Sequence, residues 1–577
     1  MQKDASQGES PLDLTRRHER LGRRTALISV LTLVSRILGF VREVISASLF
    51  GDKSAIYDAF ITAWRVPNLF RRFLGEGALS TSLQTVMTEA EGTQGEAAGA
   101  ALFRRTFAVV AGLLVLLCLG VVLLMPHLPD RMPYTGWTWL GADPQPVREL
   151  VAHLMPFVVF ICLSALAAGA LHVRGIFGPS AVAPVVLNVV WITSLLIVAQ
   201  RFGWAQPDAS SDSASMHAGP LRELSMVHML AWGVLIAGLL QLLVQLPALA
   251  RCGLLGRGSR PGHPDTPGTP GSPGNSVRNK RADARGGTRS VLRRSAPLAF
   301  GAAVYQINVM LDGLMAEAML PNGGPTVHYL ANRVQQFPLA LIAIAATSAV
   351  FPALQALGHN GDRAGLRRLH DRTHRSIAFV AIPATIGLFA IAQPVISVAF
   401  EHGAFGSEGV ARASRALRML TLAILPAGAT GLVARTYYSL GDFRSPVRVS
   451  SAMLILNVLL NYSSIRFLGM DVEGLALATA ITSWTSLIVL WPGLTTRLGL
   501  PAGEQGHTGA LVRTVLAASV SGVLAWGSER VLSPALGDLI GLSASIVIGV
   551  VSFWIAARVL AVPEAELLAA RLKRRRG

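Results

Sequence analysis

Three ionisable residues interrupt an apolar run near the start of the chain. In "SRILGFVREVISASLFG", Ser35 to Gly51, they are Arg36, Arg42 and Glu43. A charge near the centre of a bilayer costs about 2.5–3.5 kcal/mol even on lenient insertion scales, so such residues point to a ligand or a water-filled space. Arg36 lies about eleven residues into its run, roughly 16 Å of rise, too deep for its side chain to snorkel to the interface. On a helix Arg36 and Glu43 share a face while Arg42 lies about 120° round, and Gly39 between them can admit a bend that turns all three toward one space. A second window, "VPNLFRRFLGEGA", adds Arg71, Arg72 and Glu76 after Pro67, with Gly75 and Gly77 beside them, and "YLANRVQQFP" adds Arg333 ahead of Pro338.

Two readings compete for this set. Arg72 with Glu76, and Arg36 with Glu43, could pair and lock helices together. Cations outnumber anions, however, which self-pairing does not explain and an anionic ligand does. Arginine in place of lysine suits phosphate, because a planar, permanently charged guanidinium makes bidentate hydrogen bonds to phosphate oxygens. A second polar set is rich in oxygen: Asn308 and Asp312 stand four apart in "YQINVMLDGLMAEAM", and Asn457 and Asn461 repeat the spacing. With Thr479 they form a candidate metal site, Asp312, Asn457, Asn461 and Thr479, for a monovalent cation such as Na+. The competing reading is an aspartate held by neighbouring amides for helix packing. Glu317 is expected near the outer surface, in water.

The elements that carry these residues are set by composition. Of 577 residues, 51% are hydrophobic and 15% charged, and the mean hydropathy is +0.48, which marks an all-α integral membrane protein. The net charge of +18 sits in short connections between apolar runs, as topology signals do, so no nucleic-acid partner is expected. Cys118, Cys162 and Cys252 lack disulfide or zinc spacing. The run after Arg24 is too long and too charged for a cleaved signal sequence and is expected to be retained.

Apolar windows fall near 25–49, 55–90, 102–125, 149–173, 181–200 and 226–250, then 293–319, 327–355, 374–399, 411–439, 446–467, 472–495, 509–531 and 536–561. Fourteen spans are therefore expected, with an even count placing both termini in the cytoplasm. Arginine-rich connections such as "DRAGLRRLHDRTHR" and "GDFRSPVR" then lie inside, and "PNGGPT" and "EHGAFGSEG" outside. The expected organisation is a basic N-terminus (1–24), a first lobe (25–250), a disordered Pro/Gly/Ser/Arg linker (251–292), a second lobe (293–495), two further helices (496–563) and a basic tail (564–577). "AWRVPNLFRRFLGEGALSTSLQ" resembles "ANRVQQFPLALIAIAATSAVFPALQ", aligning Arg65 with Arg333, and a second match aligns Asn188 with Asn457. Both offsets are close to 268. Six spans per half then imply two six-helix lobes related by a parallel pseudo-twofold along the membrane normal, with a cavity between them.

The pattern "SRILGFVRE…FG…YDAF…RVPNLFRRFLGEGALS", continuing through "APVVLN" and "RVQQFP", resembles the MurJ (MviN) lipid II flippases of the multidrug/oligosaccharidyl-lipid/polysaccharide exporter superfamily. The resemblance spans nearly the whole chain outside the linker. It implies a V-shaped cavity, alternating access, and transport of a lipid-linked disaccharide-pentapeptide from the inner to the outer leaflet of the bacterial cytoplasmic membrane for peptidoglycan synthesis. It assigns substrate contact to Arg36, Arg42, Glu43, Asp58, Arg71, Arg72 and Arg333, and sodium to the Asp312 set. The last two helices would form a groove for the polyprenyl tail. Lipid II, membrane lipids and the cell-wall synthesis machinery are the implied partners. There are two departures: Gln336 stands where the family often has an acid, and Asn461 where a carboxylate can occur.

Carriers of the same architecture, for another polyprenyl-diphosphate oligosaccharide or for drugs, are the near alternatives. A drug exporter would present acidic and aromatic cavity residues. A membrane glycosyl or phosphoryl transferase would need paired carboxylates for metal or base, and none lies near the arginines, so no enzyme activity and no cofactor beyond a coupling cation is expected.

Overall fold

The computed structural model describes residues 11–71, 78–130, 144–204, 215–256, 287–293, 306–343, 350–499 and 505–574, and regular structure among them is entirely helical. In hydrocarbon each backbone N–H and C=O must be satisfied within its own segment, so an apolar chain of this kind resolves into helices. In the first half they are α1 (Pro11–Phe50), α2 (Ala55–Phe70), α3 (Ala78–Gln94), α4 (Glu96–Leu124), α5 (Pro144–Leu154), α6 (Pro156–Val173), α7 (Gly178–Phe202), α8 (Ser215–Leu243) and α9 (Leu246–Arg251). After a short helical segment at 287–293, the second half begins with α10 (306–319). There follow α11 (Gly324–Ala343), α12 (Phe351–His359), α13 (Arg363–Ala390), α14 (Ala392–Phe400), α15 (Ser407–Thr421), α16 (Ile424–Ser439), α17 (Arg444–Arg466) and α18 (Val472–Leu498), and finally α19 (Gln505–Leu536), α20 (Asp538–Val559) and α21 (Pro563–Arg574).

The described residues of the fourteen sequence windows are mostly helical, with turns inside several of them, as at 155, 244–245, 391 and 422–423. Nine helical stretches among the described residues are long and apolar enough to cross a membrane. The helices carrying Arg333 and the Asn457/Asn461 pair are not among the nine.

The largest cluster of buried apolar side chains draws its members from Leu49 to Val291. A second joins Ala47 of α1 to second-half residues from Val327 to Ala476, and a third runs from Ile342 to Leu498. α19 packs on α20 and on α13, and α20 also meets α14.

One connection read as a loop is helix. "DRAGLRRLHDRTHR" forms the first turns of α13, because Asp362 accepts from Gly365 N at 2.8 Å, Arg367 and Asp371 pair four residues apart, and Leu366, His370 and Thr373 bury one face. A similar cap opens α17: Asp442 accepts from the amides of Arg444 and Ser445, each at 3.0 Å, from the Ser445 hydroxyl at 2.6 Å, and pairs with Arg497. The Ser445 hydroxyl above all holds its carboxyl down at about 2. The native pKa lies below the ordinary 3.8, so this stabilisation is complete above 3.8 and fades as pH falls through about 2. Asp442→Ala is expected to lower the melting temperature at neutral pH, with the gap to the parent closing toward about pH 2 in thermal melts.

At the end of the bundle where α1 gives way to α2, the halves are latched. The Ala404 amide donates to Ser48 O at 2.9 Å and the Gly406 amide to Asp52 Oδ1 at 3.1 Å. Asp58, buried in α2, accepts from the Gly323 amide, from the Thr326 amide at 3.0 Å and from the Thr326 hydroxyl at 2.6 Å. It thereby caps α11 from the other half, placing a carboxylate where the helix N-terminus is partially positive. Gly323 is required here: its φ is +84°, and a Cβ would fall 1.5 Å from Asp52 O. Arg412 closes the same end through Asp471, at 2.6 and 2.9 Å, and Asn322 O at 3.0 Å.

Candidate functional site

A cavity of about 330 Å³ lies among α1, α7 and α11, lined by Ser35, Arg36, Gly39, Phe40, Arg42, Glu43, Asn188, Arg333, Gln336, Phe337 and Ala340. α1 supplies three ionisable residues to it and runs as unbroken helix through Gly39. Arg42 is buried, its guanidinium 4.3 Å above the Trp191 ring, with Nη1 donating to Asn188 Oδ1 at 3.3 Å and Nη2 pairing with Glu43. Asn188 in turn donates to Ser35 O at 2.9 Å, which fastens α7 to α1.

Glu43 is the hub. Its Oε1 takes Arg42, the Tyr329 hydroxyl at 2.8 Å, and Arg333 at 3.3 Å. Arg333 also donates to the Tyr329 oxygen through Nε (3.1 Å) and Nη2 (2.7 Å), and to Gln336 Oε1 at 3.4 Å. Among the described residues, three guanidinium groups therefore face one carboxylate in the cavity wall, a surplus of two positive charges. Arg36 makes no hydrogen bond or ion pair with any described residue and is exposed. The set can hold a multiply charged, oxygen-rich anion through charge-assisted hydrogen bonds, each worth about 1.5–3 kcal/mol.

The residues singled out in the sequence divide as follows. Arg36, Arg42, Glu43 and Arg333 converge on the cavity. Arg71, half-buried, holds Asn68 Oδ1 at 3.0 Å and does not line it. Asp58 is taken up by the latch, and its partners arise from the α11 N-terminus, which motif reading cannot supply. Arg72 and Glu76 lie outside the described residues. Glu317, expected in water, is half-buried and accepts from Thr62 at 2.9 Å across the halves. Tyr329 and Trp191 were missed, although Tyr329 stands four residues before Arg333, the spacing at which helical side chains meet.

The oxygen-rich set carries the sodium expectation. Asn461 Nδ2 donates to Asp312 Oδ1 at 2.7 Å and to Asn457 Oδ1 at 3.0 Å, and Asn308 Nδ2 donates to Asp312 Oδ2 at 3.4 Å. Thr479 gives its hydroxyl to Leu475 O within its own helix at 3.1 Å. In this arrangement the Asn461 amide stands between the Asp312 and Asn457 oxygens. These residues fit the packing of α10 on α17.

Comparison with known proteins agrees with the geometry. The family described as "Lipid II flippase MurJ" matches residues 46–550. A probable lipid II flippase MurJ of Vibrio cholerae is 29% identical over 483 residues, covering 82% of this chain and 83% of its own length. The lipid II flippase MurJ of Burkholderia cenocepacia is 28% identical over 519 residues, covering 88% and 90%. Among solved structures, "Lipid II flippase MurJ, inward closed conformation" superposes with a TM-score of 0.66 at 19% identity, covering 92% of this chain and 98% of that one. An inward-facing MATE-family multidrug transporter of the MOP superfamily reaches 0.59 at 13% identity over 82% of this chain. Together with the family match over most of its length, these place the chain in the MurJ lipid II flippase family.

Proposed function

We propose that the protein moves lipid II, the polyprenyl-diphosphate-linked peptidoglycan precursor, from the inner to the outer leaflet of the cytoplasmic membrane. The observation that carries this is the surplus of guanidinium over carboxylate among the described cavity residues, with Arg36 bonded to none of them. The arginine-rich connections put both termini on the cytoplasmic side, so the latch around Asp58 closes the outer end and the cavity receives the head from within.

Arg36, Arg42 and Arg333 bind the diphosphate, Glu43 and Tyr329 orient the guanidinium groups of Arg42 and Arg333, and no bond is made or broken. The polyprenyl tail stays in lipid beside α19 and α20, whose exposed faces carry Val512, Leu516, Val523, Leu539, Val547 and Val550. Rocking of the halves then releases the latch and exposes the head outside. A potential that is negative inside favours outward movement of an anionic head, at about 2.3 kcal/mol per charge per 100 mV.

The test is Arg42→Ala. It should abolish transfer of fluorescent lipid II across proteoliposomes while the purified variant stays monodisperse, and a fully active variant refutes the assignment.

A further inference from the structure

The pseudo-repeat leaves one arginine without a task. α2 and α11 are counterparts at an offset of 268, and they touch at equivalent positions, Asp58 against Thr326, which differ by 268. Seven residues further along each helix, about 10.5 Å, come Arg65 and Arg333, at matching depth on opposite sides of this contact. Arg333 reaches across the halves to Glu43. Arg65 reaches across in the mirrored sense to α10: its Nη1 donates to Val309 O at 3.1 Å, and its side chain lies against Gly313, where a Cβ would come within 2.3 Å of Nε.

Its remaining donors are idle. Nε and Nη2 are shielded from solvent and have no hydrogen-bond partner among the described residues. The carboxylates of α10 are engaged elsewhere, Asp312 by the amides of Asn461 and Asn308 and Glu317 by the Thr62 hydroxyl. Buried charged donors without partners are costly, and an apolar side chain of similar length would avoid that cost. A group kept in that state has its use in another conformation. Among the described residues one hydrogen bond, to a backbone carbonyl, holds it in place.

We propose that Arg65 is a further anion-binding residue of the carrier, parked in the closed seam between α2 and α10 and presented to the substrate diphosphate when that seam opens. The inference rests on the lipid II reading above. Arg36, Arg42 and Arg333 bind the head in the resting cavity, and Arg65, at the depth of Arg333 but on the far side of the Asp58–Thr326 contact, takes it over as the halves part. Handover between guanidinium groups spares the diphosphate from crossing the seam without a partner.

The test uses the full-length protein, undecaprenyl diphosphate as the binding probe, and fluorescent lipid II for transfer in proteoliposomes. Arg65→Met should keep the parent affinity for undecaprenyl diphosphate and slow transfer by about tenfold or more. A counter-ion role for Arg65 would be relieved by neutralising a neighbouring carboxylate, so the double variants of Arg65→Met with Asp312→Asn and with Glu317→Gln should both remain slow. Transfer at the parent rate in the single variant, or recovery of it in either double, overturns the proposal. Failure of the parent to bind undecaprenyl diphosphate would instead overturn the lipid II reading, and this inference with it.

Discussion

Arg36→Ala is expected to weaken binding of undecaprenyl diphosphate by about 10- to 100-fold and to leave the melting temperature where it was. Arg36 lines the cavity, is exposed, and makes no bond to any described residue, so truncation removes no internal contact. What is lost is one charge-assisted interaction with the ligand, about 1.5–3 kcal/mol, or one to two decades of affinity. The neighbouring Arg42→Ala should behave differently in one respect. Arg42 is buried over Trp191 and bonded to Asn188 and Glu43, so its loss should lower the melting temperature as well as the affinity. Isothermal titration beside thermal melts of the two variants separates ligand binding from scaffold. An Arg36→Ala variant with parent affinity would remove the unpartnered cation from the site.

The contrast explains which parts of the site were legible in the sequence. A charge inside an apolar helix is conspicuous whatever the fold, and four such residues, Arg36, Arg42, Glu43 and Arg333, do converge. The surplus of positive charge could be read from residue types alone. What could not be read is which partner each polar group finds across the halves. Asp58 lies only fifteen residues from Glu43 in the sequence, yet its carboxylate is satisfied by the first amides of a helix more than 260 residues away. Likewise the side chain of Asn461 offers both an oxygen and an amide, and only the packing of α17 on α10 decides that the amide faces Asp312. The all-helical membrane class was legible from composition, but length and apolarity mark nine spanning stretches among the described residues rather than fourteen, because charged and polar side chains break the apolar pattern of helices such as α11 and α17. The apolar pattern also failed at 363–373, where basic residues on one face of α13 hid the buried face of Leu366, His370 and Thr373 on the other.

Asp58→Ala is expected to release the latched end. The buried carboxylate accepts from two backbone amides and one hydroxyl at the α11 N-terminus, with the helix dipole aligned to favour it. Losing even two charge-assisted bonds of about 1.5–3 kcal/mol each, partly replaced by water, would shift the balance between closed and open ends by about a hundredfold or more. Asp58→Asn retains oxygen but not charge and should fall between the parent and the alanine variant. A cysteine placed at Gln336, in the cavity wall, reports the change. A membrane-impermeant maleimide added from outside should label it slowly in the parent background and rapidly with Asp58→Ala, and lipid II transfer should fall because the closed state is no longer regained. Labelling that stays slow in the alanine variant would show that Arg412, Asp471 and the Asp52 contacts hold the end shut without Asp58, and the closing role would pass to them.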